Sequence, residues 1–351
     1  MNRRAGFAGA GILIAVVVGT VGRTAGQSQA PKFEVDPAFP SMPAGKLLGD
    51  VSSVTVDGRD HVWIIHRPRN VPAEQRANAA PAVLEFEASG KFVNAWGGPA
   101  AGYEWPEREH GIHAEGTDAI WISGNNGYSA PGTPPPPGNS DDMLLKFTPA
   151  GKFVLQIGHG GKSTGDADHD NVKQAADMVV VRSSDEIFVA DGYGNHRVAV
   201  FEAKNGRFKR AWGANGGTPF SIVHSIRVAN DGLVYVADRG NKRVQVFTSA
   251  GAFRQQVGIG ADTPAMQTAA GLAFSPDRAQ QFLYVADLGN NVIDILDRQT
   301  LKILGTVGKP GSAPGEFGTL HEIATDSKGN IYTAEINRSK RVQKLMFKGI
   351  S

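Results

Sequence analysis

The chain has 351 residues and a formal net charge of +2, with 41% hydrophobic and only 20% charged residues. This composition argues against a coiled coil and a disordered chain, and the lack of a Lys/Arg run argues against a nucleic-acid binder. The chain contains no Cys, which excludes disulfides, thiolate metal sites and a Cys nucleophile, and its length allows a sizeable core without covalent cross-links.

The first thirty residues have the composition of an export signal. Arg3-Arg4 forms a short basic start, an apolar stretch runs from Ala5 to Val21, and small residues follow. This order is typical of a signal peptide, with cleavage expected between residues 26 and 30. The alternative is an uncleaved membrane anchor, but the apolar run is short for a membrane span. We therefore expect a secreted or periplasmic protein in which residues 31–351 form one domain without stable membrane insertion.

The rest of the chain contains one short β-rich motif six times. The copies are VWIIH (62–66), IWISG (120–124), IFVAD (187–191), VYVAD (234–238), LYVAD (283–287) and IYTAE (331–335). An apolar strand precedes each copy, another follows it, and most units add a fourth strand such as GKFVLQIG (151–158). Four short strands in a repeat of this length are typical of a propeller blade. The sequence therefore predicts an all-β fold, a six-bladed β-propeller.

Two units are longer than the others and the last one is incomplete. The extra residues lie in loop insertions at 68–81 and 128–142, and the second insertion contains four consecutive prolines, which resist regular structure. The sixth unit stops after its third strand. We therefore expect the segment Lys32–Asp36 (KFEVD) to supply the missing outer strand and to close the ring.

Three of the nine histidines occupy one position in alternate units. His110, His224 and His321 each lie 14 residues before the last residue of the motif, in units two, four and six. Each opens the innermost strand of its blade, so the three imidazoles should converge on the central channel. Three His ligands with an open fourth position are typical of a catalytic zinc site. The alternative is simple similarity among repeats, but units one, three and five differ at this position, with Ser52, Asp177 and Ala270.

Residues just beyond the motif should overhang the same end of the channel. The motif strand is antiparallel to the innermost strand, so its end lies at the face that carries the histidines. Arg67, Tyr193 and Arg239 follow it in units one, three and four. Two guanidinium groups beside a cation suit a bound carboxylate. The pKa of a phenol is ordinarily about 10, and in such a place it can be lowered enough for the phenol to act as a base. The alternative for each residue is a role in the surface or in blade packing.

These motifs carry two family resemblances. The unit VYVADRGNKRVQVF (234–247) resembles an NHL-type repeat, a general signal for propellers. A second resemblance, in order and spacing from about Leu47 to Phe347, is to the peptidyl-α-hydroxyglycine α-amidating lyase family. It is carried by LGDVSSV (48–54), HR (66–67), EHGI (109–112), DGYGNHR (191–197), VHSI (223–226), VADR (236–239) and LHEI (320–323).

The lyase resemblance implies two metal ions. Zinc would be bound by the three histidines already named, with Tyr193 as the catalytic base and the two arginines in the substrate site. A structural calcium ion would be held in the channel by the backbone carbonyls of Val54 and Ile112 and by the carboxylate of Glu322, where the family usually has Asp. The chain departs from the family by lacking cysteines and by carrying Thr319 in place of a Met.

The sequence therefore favours a zinc-dependent carbon–nitrogen lyase that cleaves a peptidyl- or N-acyl-α-hydroxyglycine into an amide and glyoxylate. Two alternatives stay open: another metal-dependent lyase or hydrolase of a small hydroxy acid or lactone, and a non-catalytic propeller that binds a peptide, a glycan or a protein. For the lyase, the expected partner is a small-molecule or peptide substrate with a carboxylate, and we expect a monomer that binds no nucleic acid.

Overall fold

The structure is a computed structural model that describes Met1 and residues 30–129, 132–265 and 267–351. Almost all of the predicted export signal lies outside the described residues, so the signal stays a prediction. Within the described ranges, no helix has the length and apolar character needed to cross a membrane.

The described strands form six four-stranded antiparallel sheets arranged as the blades of a propeller. Strand β1 (Pro31–Asp36) comes first along the chain. In each blade that follows, the strands succeed one another from the innermost, at the axis, to the outermost. Blade one contains β2 (Asp50–Val56), β3 (Val62–Arg67), β4 (Val83–Phe86) and β5 (Phe92–Trp96). Blade two contains β6 (Glu109–Glu115), β7 (Ala119–Gly124), β8 (Met143–Phe147) and β9 (Phe153–Gly158). Blade three contains β10 (Asp177–Val181), β11 (Glu186–Asp191), β12 (Arg197–Glu202) and β13 (Phe208–Trp212). The predicted six-bladed β-propeller is confirmed.

The remaining blades repeat this order. Blade four contains β14 (Val223–Val228), β15 (Val234–Asp238), β16 (Arg243–Phe247) and β17 (Phe253–Gly258). Blade five contains β18 (Ala269–Phe274), β19 (Phe282–Asp287), β20 (Val292–Asp297) and β21 (Ile303–Val307). Blade six contains β22 (Leu320–Thr325), β23 (Ile331–Glu335) and β24 (Val342–Ile350). Strand β1 is the fourth strand of blade six, because it pairs with β24 at the outer edge.

The hydrophobic core lies between the blades. Six apolar clusters each join two neighbouring blades, as where Tyr235 of blade four packs in one cluster with Leu283 of blade five. The second strands are buried along their whole length because both of their faces meet another blade. The outermost strands alternate between exposed and half-buried residues, as expected for a sheet edge with one solvated face.

The two ends of the described propeller chain meet in blade six. Strand β1 runs antiparallel to β24, which places Phe33 opposite Phe347 and Val35 opposite Leu345. Phe33 also packs edge-on against Tyr284 of blade five, with 5.8 Å between the ring centroids. The predicted closure of the ring by the segment Lys32–Asp36 is therefore confirmed.

The innermost strands carry a recurring irregularity at the channel. The pairing register shifts in β2, β6, β14, β18 and β22, and each shift falls at the position predicted for the histidines or their counterparts. A β-bulge of this kind re-aims the extra side chain. In blade three the equivalent residue is Ala176, which comes just before β10: its N–H donates to the carbonyl of Ala190, the residue that pairs with Asp177.

One expectation is corrected by this difference. The sequence places Asp177 at the blade-three position that matches the histidines, but Ala176 takes that place in the structure. The partners Asp177 and Ala190 are 13 residues apart, whereas the equivalent pair in blade four, Ser225 and Ala237, is 12 residues apart. Because the turn between β10 and β11 is one residue longer, Asp177 lies one step further along its strand and accepts a hydrogen bond from Ser225 of blade four. A count back from the end of the motif strand cannot detect an extra residue in this turn.

The two loop insertions differ in structure. The first contains two short 3-10 helices, Pro68–Asn70 and Ala73–Asn78. The second, at 128–142, has no helix or strand among its described residues, in agreement with its run of prolines.

Candidate metal centre

The structure brings His110, His224 and His321 together on the propeller axis. One ring nitrogen of each lies within 4.8 Å of the corresponding nitrogens of the other two, and all three side chains are buried. The ring centroids are 4.6–5.1 Å apart, with steeply inclined planes. The predicted convergence of the imidazoles thus follows from their places at the bulges of three alternate inner strands.

Each imidazole is held in one orientation by the next blade. Nδ1 of His110 lies 2.8 Å from the backbone carbonyl oxygen of Ala176. The corresponding distances are 2.9 Å from His224 to Ala270 and 2.7 Å from His321 to Ser52. A carbonyl can only accept, so each Nδ1 carries the proton and each Nε2 keeps its lone pair. Such outer contacts orient metal-binding histidines and select the tautomer.

A glycine allows one of these contacts. A Cβ atom at Gly111 would lie 2.6 Å from the carbonyl oxygen of Ala176 and 2.7 Å from Oγ of Ser123. Glycine at this position lets β6 approach β10 closely enough for His110 to reach the Ala176 carbonyl. Motif EHGI, singled out in the sequence, therefore contains both the ligand and the residue that makes room for its support.

The surroundings keep the three rings neutral. Burial lowers the pKa of His110, His224 and His321 well below 6.5, and nearby positive groups add to this effect. Arg239 contributes at all three histidines, and Arg67 contributes at His110 and His321. Because a metal binds only the neutral imidazole, this environment and the three convergent Nε2 lone pairs fit a zinc ion with an open fourth position.

Tyr193 lies directly over this cluster. It follows β11, and its hydroxyl oxygen is 2.9 Å from Nε2 of His110 and 3.0 Å from Nε2 of His224. The phenol oxygen therefore faces the same point as the imidazole lone pairs. The ring of Tyr193 is also flanked by Tyr128, with 4.5 Å between the ring centroids.

The two predicted arginines lie beside this tyrosine and are buried. The guanidinium carbon of Arg239 is 5.1 Å from the centroid of the Tyr193 ring. Its Nε is buried and has no hydrogen-bond partner among the described residues. A buried, unused N–H beside the cluster is a donor available to a ligand.

Arg67 is held more firmly than Arg239. Its Nε donates to the backbone carbonyl of Glu109, at 2.9 Å, and its Nη1 lies 3.7 Å from Oδ2 of Asp50. Burial, and then the neighbouring Arg108, lower the pKa of Arg67 to about 10, so the guanidinium stays charged at neutral pH. Arg67 thus adds a fixed positive charge near the phenol and the histidines.

The sequence did not point to Tyr128. It stands at the start of the loop insertion in blade two, which has no counterpart in the other units, so no repeat position marks it. The end of the same insertion is bonded to the segment that leads into β6. Asp141 accepts hydrogen bonds from the backbone N–H groups of Glu107, Arg108 and Asn126.

The residues implied for calcium lie deeper in the channel. Val54 and Ile112 are buried on the neighbouring inner strands β2 and β6, and Glu322 is buried on β22. The carboxylate of Glu322 already faces a cationic side chain, since its Oε1 lies 3.5 Å from Nη2 of Arg227. As they stand, these residues do not fit calcium, because the carboxylate expected to bind it has a guanidinium beside it.

Comparison with known proteins agrees with the repeat pattern. The NHL repeat family model matches residues 173–201 and 220–247, which belong to blades three and four. Human NHL repeat-containing protein 3 is 28% identical over 285 residues, a match that covers 77% of this chain and 74% of that protein. The chain is a propeller that contains NHL repeats, matched in blades three and four.

A second relative carries the name of an enzyme. The "Probable peptidyl-alpha-hydroxyglycine alpha-amidating lyase" of Caenorhabditis elegans is 27% identical over 314 residues, covering 84% of this chain and 82% of that protein. Among solved structures, a streptogramin B lyase superposes with a TM-score of 0.56 over 90% of this chain and 98% of its own. The sequence identity to that structure is 14%, so this likeness concerns the fold.

Proposed function

We propose that this protein is a zinc-dependent carbon–nitrogen lyase that cleaves a peptidyl- or N-acyl-α-hydroxyglycine into an amide and glyoxylate. The observation that carries the proposal is the position of the Tyr193 hydroxyl within 3.0 Å of two of the three convergent imidazoles. Similarity to a relative named as a lyase of this kind supports it.

The two arginines provide a place for the substrate carboxylate. Arg239 binds it, because its Nε is buried beside Tyr193 and has no other partner among the described residues. Arg67 is engaged with Glu109 and Asp50, so it acts mainly as a fixed positive charge that balances the carboxylate. A charged guanidinium with a free N–H suits carboxylate binding better than a surface lysine, because it can donate two parallel hydrogen bonds.

The proton movements follow from the position of the phenol. Zinc, when bound by the three imidazoles, supplies a Lewis acid that lowers the pKa of a bound hydroxyl group. Tyr193, as phenolate, accepts the hydroxyl proton of the carbinolamide. The C–N bond then breaks as the C–O bond becomes a carbonyl, and the departing amide nitrogen takes the proton back. Atoms and charge balance without a redox cofactor.

A non-catalytic propeller is the second candidate. It is favoured by the similarity to human NHL repeat-containing protein 3, whose name assigns no reaction. A binding propeller needs no metal at the axis, whereas the lyase does. Another metal-dependent lyase or hydrolase of a small hydroxy acid or lactone would use the same histidines and differ only in substrate.

The test is an assay of glyoxylate release from N-benzoyl-α-hydroxyglycine by the full chain. We expect about one zinc per chain by elemental analysis, activity that is lost with a chelator, and recovery when zinc is added. Hydrolysis of lactones or ureidoglycolate without glyoxylate release from the carbinolamide would instead favour the other metal-dependent enzyme. Protein that folds, contains no metal and is inactive on all of these compounds would favour the binding propeller.

We also propose that the mature protein is exported. The support is the order of basic, apolar and small residues in the first thirty positions. Sequencing the N-terminus of the protein from a producing cell should show a start between residues 26 and 31. An intact N-terminus in the cytoplasm would contradict export.

A further inference from the structure

A buried cluster of charges lies in the channel beyond the three histidines. Arg227 of β14 contacts two acidic residues from different blades: its Nη1 is 2.5 Å from Oδ2 of Asp177, and its Nη2 is 3.5 Å from Oε1 of Glu322. Both acidic side chains are buried. The guanidinium therefore links the inner strands of blades three, four and six across the axis.

Ser225 and Gly271 adjoin this cluster of charges. Oγ of Ser225 lies 2.8 Å from Oδ2 of Asp177 and 3.4 Å from Oε1 of Glu322. A Cβ atom at Gly271 would lie 2.5 Å from Oε1 of Glu322. Glycine in blade five is therefore what leaves room for the carboxyl group of Glu322 at the axis.

One oxygen of the cluster is not used by the protein. Oδ1 of Asp177 is buried and has no hydrogen-bond partner among the described residues. Buried carboxylate oxygens normally have a partner, and two carboxylates from separate strands beside one axis are oxygen donors of the kind that hard divalent cations bind. The guanidinium is the only positive group that the described residues bring into hydrogen-bond contact with these two carboxylates.

Arg227 reaches the cluster from the far mouth of the channel. That mouth is a cavity of about 390 Å³, lined by residues that include His113, Phe274 and Asp326 as well as Arg227 itself. The Arg227 side chain is 17% exposed, so water reaches it from this side. Its guanidinium thus separates the cavity from the carboxylates.

We infer that Arg227 takes the place of a structural divalent cation at the axis, and that its removal opens a calcium site formed by Asp177 and Glu322. Calcium needs several oxygen ligands at once, and here the carboxylate oxygens already face a positive group. The inference concerns stability and metal content only, so it stands or falls independently of the proposed lyase activity.

The first measurement uses the wild-type chain loaded with zinc. We expect no saturable heat on titration with CaCl₂. We also expect the same Tm with and without about 5 mM CaCl₂, a concentration above the range in which extracellular calcium modules bind. Saturable calcium binding, or a Tm that rises with calcium, overturns the inference. This measurement does not depend on any variant folding.

The second measurement uses Arg227→Met with the same zinc content. Without calcium its Tm should fall by about 5–10 °C, because two buried carboxyl groups lose their positive partner. With calcium the Tm should rise again by several degrees, with about one calcium per chain. A Tm that falls and does not respond to calcium contradicts the second half of the inference. Arg227→Gln, a smaller change, replaces this variant if Arg227→Met does not fold.

A matched control is another buried arginine away from the axis. Nη1 of Arg298 lies 2.8 Å from Oδ2 of Asp231 and 3.1 Å from the hydroxyl of Tyr235. Arg298→Met should lower the Tm without creating any response to calcium. A calcium response in this control would mean that calcium binds elsewhere in the protein, and the inference would then be wrong.

Discussion

The hydroxyl oxygen of Tyr193 lies 2.9 Å from Nε2 of His110. A residue proposed as the base and a residue proposed as a metal ligand are therefore direct neighbours, although 83 positions separate them along the chain. The contact joins blades two and three over the axis.

Replacing Tyr193 by Phe should lower kcat for glyoxylate release by about 10²–10⁴-fold, the range expected for loss of a positioned base. The zinc content should not change, because the three imidazoles keep their backbone partners. Tyr235→Phe, in the core of blade four, is the control and should keep normal turnover. Near-normal kcat in Tyr193→Phe would remove this residue from the mechanism.

Replacing His224 by Ala should abolish stable zinc binding and activity together. The variant loses one of three ligands from a centre that has only three protein donors. Elemental analysis after dialysis should give much less than one zinc per chain, compared with about one in the wild type. His196→Ala, an exposed histidine outside the cluster, should keep both zinc and activity. Full zinc content in His224→Ala would mean that the metal is bound elsewhere.

Replacing Arg239 by Met should raise KM for the carboxylate substrate about 10–100-fold, since a charged hydrogen bond to the substrate is lost. The same change should have little effect on a substrate whose carboxylate is converted to an amide. Arg243→Met removes a nearby arginine whose Nε instead binds Asp238, at 2.7 Å, and should leave KM unchanged. Equal losses on both substrates would show that Arg239 does not bind the carboxylate.

Stability should fall in acid because of His66, which is buried and neutral. Its Nδ1 accepts the backbone N–H of Gly49, and its Nε2 donates to the carbonyl of Pro81, both at 3.0 Å. Burial lowers the pKa of His66 to about 4. The unfolded chain, with a pKa near 6.5, therefore binds a proton that the folded protein excludes, and stability decreases as the pH falls from about 6.5 to 4.

The contribution of His66 to this loss should be about 3 kcal/mol. Urea unfolding of wild type and His66→Gln at several pH values measures it, because Gln does not titrate. The variant is expected to be less stable at neutral pH and to lose less stability between pH 6.5 and 4. Parallel curves for the two proteins would mean that His66 does not couple to acid unfolding.

Closure of the ring should depend on Phe33. Its ring packs against Tyr284 and Phe347, so Phe33→Ala should lower the free energy of unfolding by about 2 kcal/mol, less than for a fully buried Phe. Val154→Ala, on the outer strand of blade two with half of its surface exposed, should change it by less than about 0.5 kcal/mol. Equal effects of the two changes would show that β1 is not a structural part of blade six.

The sequence alone was sufficient to predict the six blades and the closure of the ring. Regular spacing of short β-rich runs predicts a propeller because each blade is a local unit whose four strands follow one another along the chain. The strand β1 could be predicted because the sixth unit visibly lacks a strand. His110, His224 and His321 could be found by the same count, since an equivalent position in each repeat is an equivalent position in space.

The count failed where a blade departs from the repeat. The count puts Asp177 at the level of the histidines, whereas one extra residue in the turn between β10 and β11 moves it to the level of Ser225. The contact of Tyr128 with Tyr193 arises in an insertion without any repeat partner. Neither feature leaves a periodic signal in the sequence.

What the sequence by itself determined is therefore the repeat: the number of blades, their order and the positions of the three histidines. Which further side chains meet at the axis, and with which partners, was decided only by the tertiary structure. Arg227, Asp177 and Glu322 come from three blades, and their contact depends on the bulges and on the lack of a side chain at Gly271. Such contacts are set by shifts of single residues in strand pairing, which leave the spacing of the repeats unchanged.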